Sequence, residues 1–162
     1  LIKCATSISK AATAFLGARA AALSDCAASL FGCVQRKPAP ADLAKCLGKT
    51  DAVCARATDP GTDDAKLRAA IDARCSDALI PFATLRAAPA ANLDGVAGEC
   101  AAQGIASLAS LALFEGCVAH QHECLAGELV RTAVPRAPDL LALVGRALAP
   151  ADCPPPGGGA PQ

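Results

Sequence analysis

Apolar side chains recur at helical spacing through the first thirty or so residues, which contain no proline. The apolar residues that fall on one helix face are Ile8, Phe15, Leu16, Leu23 and Leu30. Alanine, which has the highest intrinsic helix propensity, fills many of the positions between them. The pattern predicts one long helix from Ile2 to Phe31, with Gly32 as its C-terminal stop.

Proline and glycine then predict a break and a short second helix. The residues from Pro38 to Asp42 form the break, and the helix that follows runs through Leu47 and stops at Gly48. The segment from Thr58 to Gly61 has Pro and Gly at positions that set turn dihedrals, so it is predicted to be a turn.

A further helix is predicted after this turn, with Thr62 as its N-cap. Asp63 and Asp64 fall in its first turn, where the helix dipole favours acidic side chains. The helix is expected to end at about Cys75. Its basic residues, which are expected on the solvated face, are Lys66, Arg68 and Arg74.

The remainder of the chain is predicted to hold two more helices. Pro81 and Pro89 bracket a mixed segment, and Asn92 to Gly98 is predicted to be a loop. One helix begins at Ser107 or Ser110 and ends at Thr132, and the other spans Asp139 to Leu148.

These elements predict an all-α protein in which a disulfide-stapled antiparallel helical hairpin is followed by a second helical pair. A division near Pro89 gives an N-terminal α-hairpin over residues 1–88 and a C-terminal helical subdomain over residues 89–153. Residues 154–162 form a tail of Pro and Gly, and its proline run is typical of extended polyproline structure.

The composition favours helices but not a large apolar core. Alanine makes up about a quarter of the 162 residues, Tyr, Trp and Met are absent, and Phe occurs four times. A buried alanine removes little apolar surface from water. We therefore expect disulfides, rather than side-chain packing alone, to stabilise the fold.

Charge and apolar patterning argue against two kinds of partner. Lys and Arg together number 15, as do Asp and Glu, so no net field attracts nucleic acid or an anionic membrane. The apolar run from Ile105 to Phe114 is too short to span a bilayer, so no transmembrane segment is predicted.

The ten cysteines predict a disulfide framework. An even number of cysteines in a small chain is typical of exported proteins, because disulfides persist in oxidising compartments. The alternative, ten reduced thiols in a cytosolic protein, is unusual for a chain of this size. A secreted, cell-surface or periplasmic location is predicted, and the chain, which does not begin with Met, is expected to start after processing.

Helix geometry predicts the pairing of the first six cysteines. In an antiparallel hairpin both helices rise equally per residue, so the numbers of facing residues have a constant sum. The pairs that satisfy this condition are Cys4–Cys75, Cys26–Cys54 and Cys33–Cys46.

The pairing of the last four cysteines is predicted from the turn at Pro135. Cys117 and Cys124 lie two helical turns apart on one face, too far apart to bridge each other. The turn returns the final helix along the helix that ends at Thr132, which brings Cys153 towards Cys117 and leaves Cys100 for Cys124. Cys100–Cys124 and Cys117–Cys153 are therefore predicted.

The segment from Cys117 to Cys124 is the one stretch with the spacing of a metal site. Cys117, His120 and Cys124 share a helix face and are residue types that bind zinc. In the alternative, both cysteines form disulfides and the histidines between them are solvated. The second interpretation is preferred for an exported protein, so no metal or other cofactor is predicted.

Catalytic motifs are missing from the sequence. It has no G-x-S-x-G elbow, no Walker loop, no H-E-x-x-H and no C-x-x-C-H for covalent haem. Asp63 with Asp64 and Glu123 with Glu128 are acid pairs, but the first suits a helix start and the second a solvated face. The chain is therefore predicted not to be an enzyme.

Several segments together resemble a family of cysteine-rich helical modules. A long Ala-rich helix opens with Lys3 and Cys4 and has Cys26 near its end, and a helix of Ala, Lys and Arg closes on Cys75. The cysteine cluster at 117–124 is followed by Val-Pro-Arg at 134–136 and a Leu-rich helix.

These segments are similar to modules of exported proteins from deltaproteobacteria and their relatives, over most of the chain up to about Cys153. Members of that family often have a further cysteine at the position of His120, where this chain departs from the pattern. The resemblance implies export and disulfide bridging and assigns no reaction.

Two classes of function remain. The first is an exported structural or assembly protein, a subunit of a filament, surface layer or envelope complex, that contacts other protein subunits through Pro154 to Gln162. The alternative is a small module that binds an apolar ligand or lipid between disulfide-tied helices. It would resemble plant lipid-transfer proteins, although the adjacent cysteines of their core are missing here.

Overall fold

The structure, a computed structural model, describes residues 1–153 and confirms the all-α fold class. Helices account for 74% of the described residues, which contain no strand. The α-helices of this range are α1 (Ile2–Arg36), α2 (Pro40–Thr58), α3 (Gly61–Cys75), α4 (Phe82–Arg86), α5 (Ala97–Ala102), α6 (Leu111–Ala133) and α7 (Ala137–Ala142). A 3-10 helix at Leu93–Val96 precedes α5. The predicted Pro/Gly tail, residues 154–162, lies outside the described residues.

Two glycines that the sequence predicts as helix stops lie inside helices. α1 continues through Gly32 to Arg36, and α2 runs through Gly48 to Thr58. Neither glycine has the positive φ that ends a helix, so the backbone continues without strain. Pro40 starts α2 rather than breaking it, because the fixed φ of proline suits the first helical position.

The turn between α2 and α3 is confirmed, but the side chain at the start of α3 is Asp59 rather than the predicted N-cap, Thr62. Asp59 Oδ1 accepts a hydrogen bond from the Gly61 N–H at 2.9 Å, so α3 begins before the predicted cap, Thr62. Both predicted acids lie in the first turn of α3. The turn is therefore organised by a carboxylate upstream of the helix, a role that aspartate often has in tight turns.

α6 agrees with the prediction, whereas the segments on either side of it differ. Ser110 Oγ accepts a hydrogen bond from the Leu113 N–H at 3.3 Å, so Ser110 is the residue that caps α6. α7 is shorter than predicted and ends at Ala142, and Gly145 turns the chain soon afterwards with a φ of 69°. The predicted loop at 92–98 contains the 3-10 helix and the start of α5.

The chain divides into two compact units, each built from separate stretches of sequence. Unit 1 contains Leu1–Phe15 and Thr62–His122 together with Asp152 and Cys153, and unit 2 contains Leu16–Gly61 and Glu123–Ala151. These units therefore differ from the sequence-contiguous subdomains that a division near Pro89 predicts.

Each unit has a hydrophobic core of its own. The large apolar side chains in the core of unit 1 include Phe15, Leu67, Ile71, Phe82, Leu85 and Phe114, which pack with Cys4, Cys75, Cys100 and Cys117. The core of unit 2 is aliphatic and includes Leu23, Leu30, Val130, Leu140 and Leu141, with Cys26 and Cys54. Cystine thus contributes to both cores, as expected for a chain with few aromatic residues.

α1 is long and apolar enough to cross a membrane by the criteria of length and composition. Its best window of 18 residues has a mean hydropathy of 1.2, and 33% of that window is buried. A core helix and an N-terminal signal sequence satisfy the same criteria. The prediction of no transmembrane segment rested on the apolar run from Ile105 to Phe114 and did not take α1 into account. Three cysteines of α1 form disulfides with cysteines of α2 and α3.

Candidate functional site

The predicted pairing of the first six cysteines is confirmed. The bridges are Cys4–Cys75, Cys26–Cys54 and Cys33–Cys46, with Cα–Cα distances of 5.1, 5.0 and 5.7 Å. The first joins α1 to α3, and the other two join α1 to α2. The antiparallel register that predicted the pairs is therefore the one that places these cysteines opposite each other.

The predicted pairing of the last four cysteines is wrong. Cys100 is bonded to Cys117 with a Cα–Cα distance of 5.4 Å, which excludes both Cys100–Cys124 and Cys117–Cys153. Cys100 lies on α5, a helix that the sequence analysis did not predict, and Gly104 with a φ of 84° turns the chain after it. Cys124 lies two turns further along α6, about 10 Å from Cys117, so it is beyond the reach of Cys100.

All ten cysteines are disulfide-bonded. Eight of them form the four bridges described above, and Cys124 and Cys153 are disulfide-bonded as well. Five disulfides indicate a protein of an oxidising compartment outside the cytoplasm.

The cysteines of the predicted zinc candidates are not thiolates. Cys117 is bonded to Cys100, so its sulfur is not a zinc ligand in the oxidised protein. Cys124, the other predicted cysteine ligand, is disulfide-bonded as well. The Nε2 of His120, the predicted histidine ligand, lies 3.6 Å from Asp152 Oδ2.

His122 is held by its own helix. Its Nδ1 lies 2.8 Å from the Val118 carbonyl oxygen, one turn earlier on α6. A carbonyl oxygen only accepts, so Nδ1 carries the hydrogen and donates it. This bond fixes the ring against the helix backbone and leaves Nε2 as the nitrogen for any further contact.

The acids of the two predicted pairs are ion-paired with basic residues. In α3, Asp63 lies 3.4 Å from Lys66 and Asp64 lies 2.8 Å from Arg68. Glu123 lies 3.4 Å from Arg19, and Glu128 lies 2.6 Å from Arg131. Each of these carboxylates thus has a basic side chain as its ion-pair partner.

A buried carboxyl group on α6 is the titratable group that the sequence analysis missed. Glu115 is 3% exposed, and Asp64, Arg68 and Asp72 of α3 are spaced one turn apart and interact with it. Arg68 Nη1 lies 3.8 Å from Glu115 Oε2 and donates a hydrogen bond to the Ala112 carbonyl oxygen at 3.2 Å. Arg68 Nε donates a hydrogen bond to Asp64 Oδ2 at 2.8 Å. The guanidinium group of Arg68 therefore interacts with both carboxylates and with a backbone carbonyl oxygen.

Burial and negative neighbours favour a proton on Glu115. Loss of hydration and the charge of Asp72 raise the pKa of Glu115 from 4.5 to about 7, against the opposing effect of Arg68. Glu115 Oε1 and Asp64 Oδ1 are both buried without a hydrogen-bond partner among the described residues. The sequence signal for this site is a lone acid in the apolar stretch 111–119 of α6.

The strength of this acid suits proton transfer, but its position does not suit catalysis. A carboxyl group with a pKa near 7 has the acidity of a general acid or base. Glu115 is almost fully buried, however, and other residues line the surface hollows described for this structure. We therefore interpret Glu115 as a proton-binding group of the core, and the absence of enzymatic activity stays a prediction.

The chain has no match among protein-family models, among curated proteins or among solved structures. The resemblance to exported cysteine-rich modules therefore stays a prediction, and function has to be argued from the geometry of this chain.

Proposed function

We propose that the protein is a structural subunit of an extracellular assembly, such as a filament, a surface layer or an envelope complex. The five disulfides support this proposal because covalent cross-links keep a small, alanine-rich fold intact outside the cell. We place the protein in the secreted, cell-surface or periplasmic fraction, where such assemblies form.

Exposed leucines in unit 2 are the observation that carries the proposal. Leu125 and Leu129 lie one turn apart on α6 and are 44% and 47% exposed, and Leu143, just after α7, is 50% exposed. Large apolar side chains that are neighbours on one surface and remain in water are typical of a face that another protein covers, whereas single exposed apolar side chains are common on monomers. Covering them contributes about 25 cal/mol for each Å² of apolar area removed from water.

α6 is apolar on two of its faces in unit 2. Ala126 and Val130, which follow the exposed leucines directly in sequence, are buried in the core of the unit. A helix of a monomeric protein normally has one apolar face and one polar face. The second apolar face, formed by Leu125 and Leu129, is therefore available to a neighbouring subunit.

Replacement of the exposed leucines tests the assembly. We expect the intact protein to be larger than a monomer in size-exclusion chromatography with light scattering. The double variant Leu125→Ser/Leu129→Ser should shift towards the monomer. The matched control is Leu79→Ser/Leu113→Ser, which removes two leucines of unit 1 that are 61% and 41% exposed. A monomeric intact protein at every concentration, or an equal effect of both variants, contradicts the proposal.

The predicted connector tail can be tested separately. Pro154 to Gln162 lies outside the described residues, so its role as a contact with other subunits stays a prediction. A chain that ends at Cys153 should associate less well than the intact chain if the tail is a connector. If the truncated protein associates as the intact protein does, the tail is not a connector and the leucine face alone accounts for assembly.

A small apolar hollow in unit 1 favours the alternative function. It has a volume of about 270 Å³ and is lined by Leu1, Ile2, Ala5, Pro89, Ala90 and Ala91. Ligand pockets usually have volumes of roughly 300–1,000 Å³, so this one suits the end of an alkyl chain better than a whole lipid. Saturable binding of a fluorescent fatty acid to monomeric protein, lost in an Ala5→Leu variant that fills the hollow, would favour this alternative.

A further inference from the structure

We propose that a basic hollow in unit 2 binds an oxyanion of the phosphate or sulfate class. The hollow has a volume of about 290 Å³, and its lining residues are Lys37, Asp42, Lys45, Cys46 and Lys49. Half of the lysines in the chain thus surround one small space. We refer to this space as the lysine hollow.

The positive charge of the lysine hollow is not neutralised within the fold. Among the described residues, neither its lysines nor Asp42 takes part in an ion pair. Three lysines against one aspartate leave a net charge of +2 around the space. Arg36, which ends α1 beside Lys37, adds a further positive charge nearby.

This clustering is unfavourable for the fold itself. Lys45 and Lys49 lie one turn apart on α2, and like charges at this spacing destabilise a helix. The protein as a whole is neutral, with 15 basic and 15 acidic residues, so the cluster does not reflect a general excess of base. A bound dianion would convert this repulsion into attraction.

The Cys33–Cys46 disulfide holds the two sides of the hollow together. Lys45 and Lys49 flank Cys46 on α2, and the Lys37 N–H donates a hydrogen bond to the Cys33 carbonyl oxygen at 3.0 Å. The bridged cysteines have a Cα–Cα distance of 5.7 Å, which fixes the distance between the end of α1, directly before Lys37, and the part of α2 that carries Lys45 and Lys49. A hollow fixed in this way needs little backbone ordering when an anion binds.

The chemistry of lysine selects the ligand class. Each ammonium group is a compact charge with several hydrogen-bond donors, and phosphate oxygens accept charge-assisted hydrogen bonds from more than one donor. The volume of the hollow suits a tetrahedral oxyanion with part of its hydration shell. This class includes a free anion and the phosphate of a lipid headgroup.

A second basic hollow offers a matched control. Lys3, Lys10 and Arg74 line it in unit 1, with a volume of about 350 Å³. Its two lysines lie seven residues apart on α1, and no cysteine is among its lining residues. It has comparable positive charge but neither closely spaced lysines nor a disulfide. Variants of the two hollows can therefore distinguish binding at a defined site from general attraction of anions to a basic surface.

The first experiment is a titration of the oxidised protein with inorganic phosphate at low ionic strength, followed by amide chemical shifts. We expect saturable shifts at Lys45 and Lys49. Lys45→Gln/Lys49→Gln should weaken binding by at least about tenfold, since charged hydrogen bonds are lost. Lys3→Gln/Lys10→Gln, which changes the net charge equally, should bind as the intact protein does. Equal weakening in both variants overturns the proposal, and circular dichroism verifies that each variant is folded.

The second experiment distinguishes the sources of the oxyanion. Vesicles of phosphatidylcholine with and without phosphatidylglycerol are sedimented with the same proteins. Binding to the anionic vesicles that depends on Lys45 and Lys49 and is displaced by inorganic phosphate identifies a lipid headgroup as the ligand. Phosphate binding without vesicle binding identifies a soluble anion. If neither phosphate nor anionic vesicles bind saturably, the lysine hollow is not an oxyanion site.

Discussion

The guanidinium group of Arg19 lies 3.4 Å from the carboxylate of Glu123, a residue 104 positions away in the sequence. Arg19 is 1% exposed and is the largest fully buried side chain among the described residues. Its Nη1 also donates a hydrogen bond to the Asp59 carbonyl oxygen at 3.1 Å. Its Nε is buried without a hydrogen-bond partner in the described part of the chain. Two contacts therefore hold a buried charge in the core of unit 2.

Arg19→Ala should destabilise the protein by about 3 kcal/mol, because removal of one member of a buried ion pair leaves the other charge poorly compensated. The Asp59 carbonyl oxygen also loses a donor. Urea unfolding of the oxidised protein, followed by circular dichroism, measures the change in the free energy of unfolding.

A double-mutant cycle isolates the ion pair from the loss of packing. Arg19→Met and Glu123→Gln are each expected to be destabilising, whereas the double variant should lose less than the sum of the two. Strictly additive losses would show that Arg19 stabilises unit 2 through packing and its bond to Asp59 rather than through Glu123.

Reduction of the disulfides should loosen or unfold the protein. Both hydrophobic cores include cystine, and seven further core positions hold alanine, which buries little apolar surface. Loss of all five bridges is expected to lower the free energy of unfolding by several kcal/mol. Thermal melting with and without reductant measures this effect. An unchanged midpoint would mean that helix packing alone is sufficient.

Individual bridges should differ according to the length of the loop that they close. In the chain-entropy view, Cys4→Ala/Cys75→Ala should cost about 4 kcal/mol and Cys33→Ala/Cys46→Ala about 3 kcal/mol. The sequence separations of the two pairs are 71 and 13 residues. Urea unfolding of the two double variants gives the comparison. A larger loss for the shorter loop would show that local packing, not loop closure, determines the contribution of each bridge.

The sequence predicts the first three bridges because the rise per residue is constant in a regular helix, so residue numbers give positions along the helix axis. Cys4 and Cys75 satisfy this relation although a turn interrupts the chain between α2 and α3. The relation fails for Cys100, because the six-residue helix that carries it has no clear apolar periodicity and its direction is set by the turn at Gly104. Gly32 and Gly48 were predicted as stops because the sequence shows glycine but not the sign of its φ.

The candidate site at Glu115 could be predicted only in part. The sequence shows an acid within an apolar stretch of α6, and it shows Asp64, Arg68 and Asp72 at four-residue intervals. It does not show that these two groups of residues face each other, because helix–helix contacts depend on tertiary packing. The pKa of Glu115 follows from that packing, through burial and the proximity of Asp72.

Stability should fall as the pH rises from about 4.5 to about 7. The pKa of Glu115 is raised from 4.5 to about 7 in the folded protein, so the unfolded chain releases this proton first. Between the two values the folded state binds more protons, and each further rise in pH favours unfolding by mass action. The contribution of this group is lost across that window and amounts to at most about 3 kcal/mol. Urea unfolding at several pH values measures it.

Glu115→Gln separates this effect from the other titrating groups. The amide keeps the size of the side chain and cannot ionise, so the variant should show a smaller decrease between pH 4.5 and 7 and exceed the intact protein in stability at pH 8. Glu99→Gln, at an exposed position of unit 1, is the control and should retain the original pH dependence. The same decrease in Glu115→Gln as in the control would contradict the role of Glu115.

Two glycines within helices allow the packing of unit 2 to be tested with the same substitution. A Cβ at Gly127 of α6 would lie 2.8 Å from the Ala149 Cβ and 2.9 Å from the Leu148 carbonyl oxygen. A Cβ at Gly17 of α1, which is exposed, would have no neighbour within 4 Å. Alanine is favoured over glycine in a helix by about 1 kcal/mol at either position, so the difference between the two variants reports packing.

Gly17→Ala should therefore stabilise the protein by about 1 kcal/mol, because it gains helix propensity without a steric conflict. Gly127→Ala should destabilise it by about 1–3 kcal/mol, since the backbone at Leu148 has to move away from α6 and this outweighs the gain in propensity. Urea unfolding of the two variants beside the intact protein gives both values. If Gly127→Ala is as stable as Gly17→Ala, the segment at 148–149 does not pack closely against α6, and the absence of a side chain at Gly127 has no packing role.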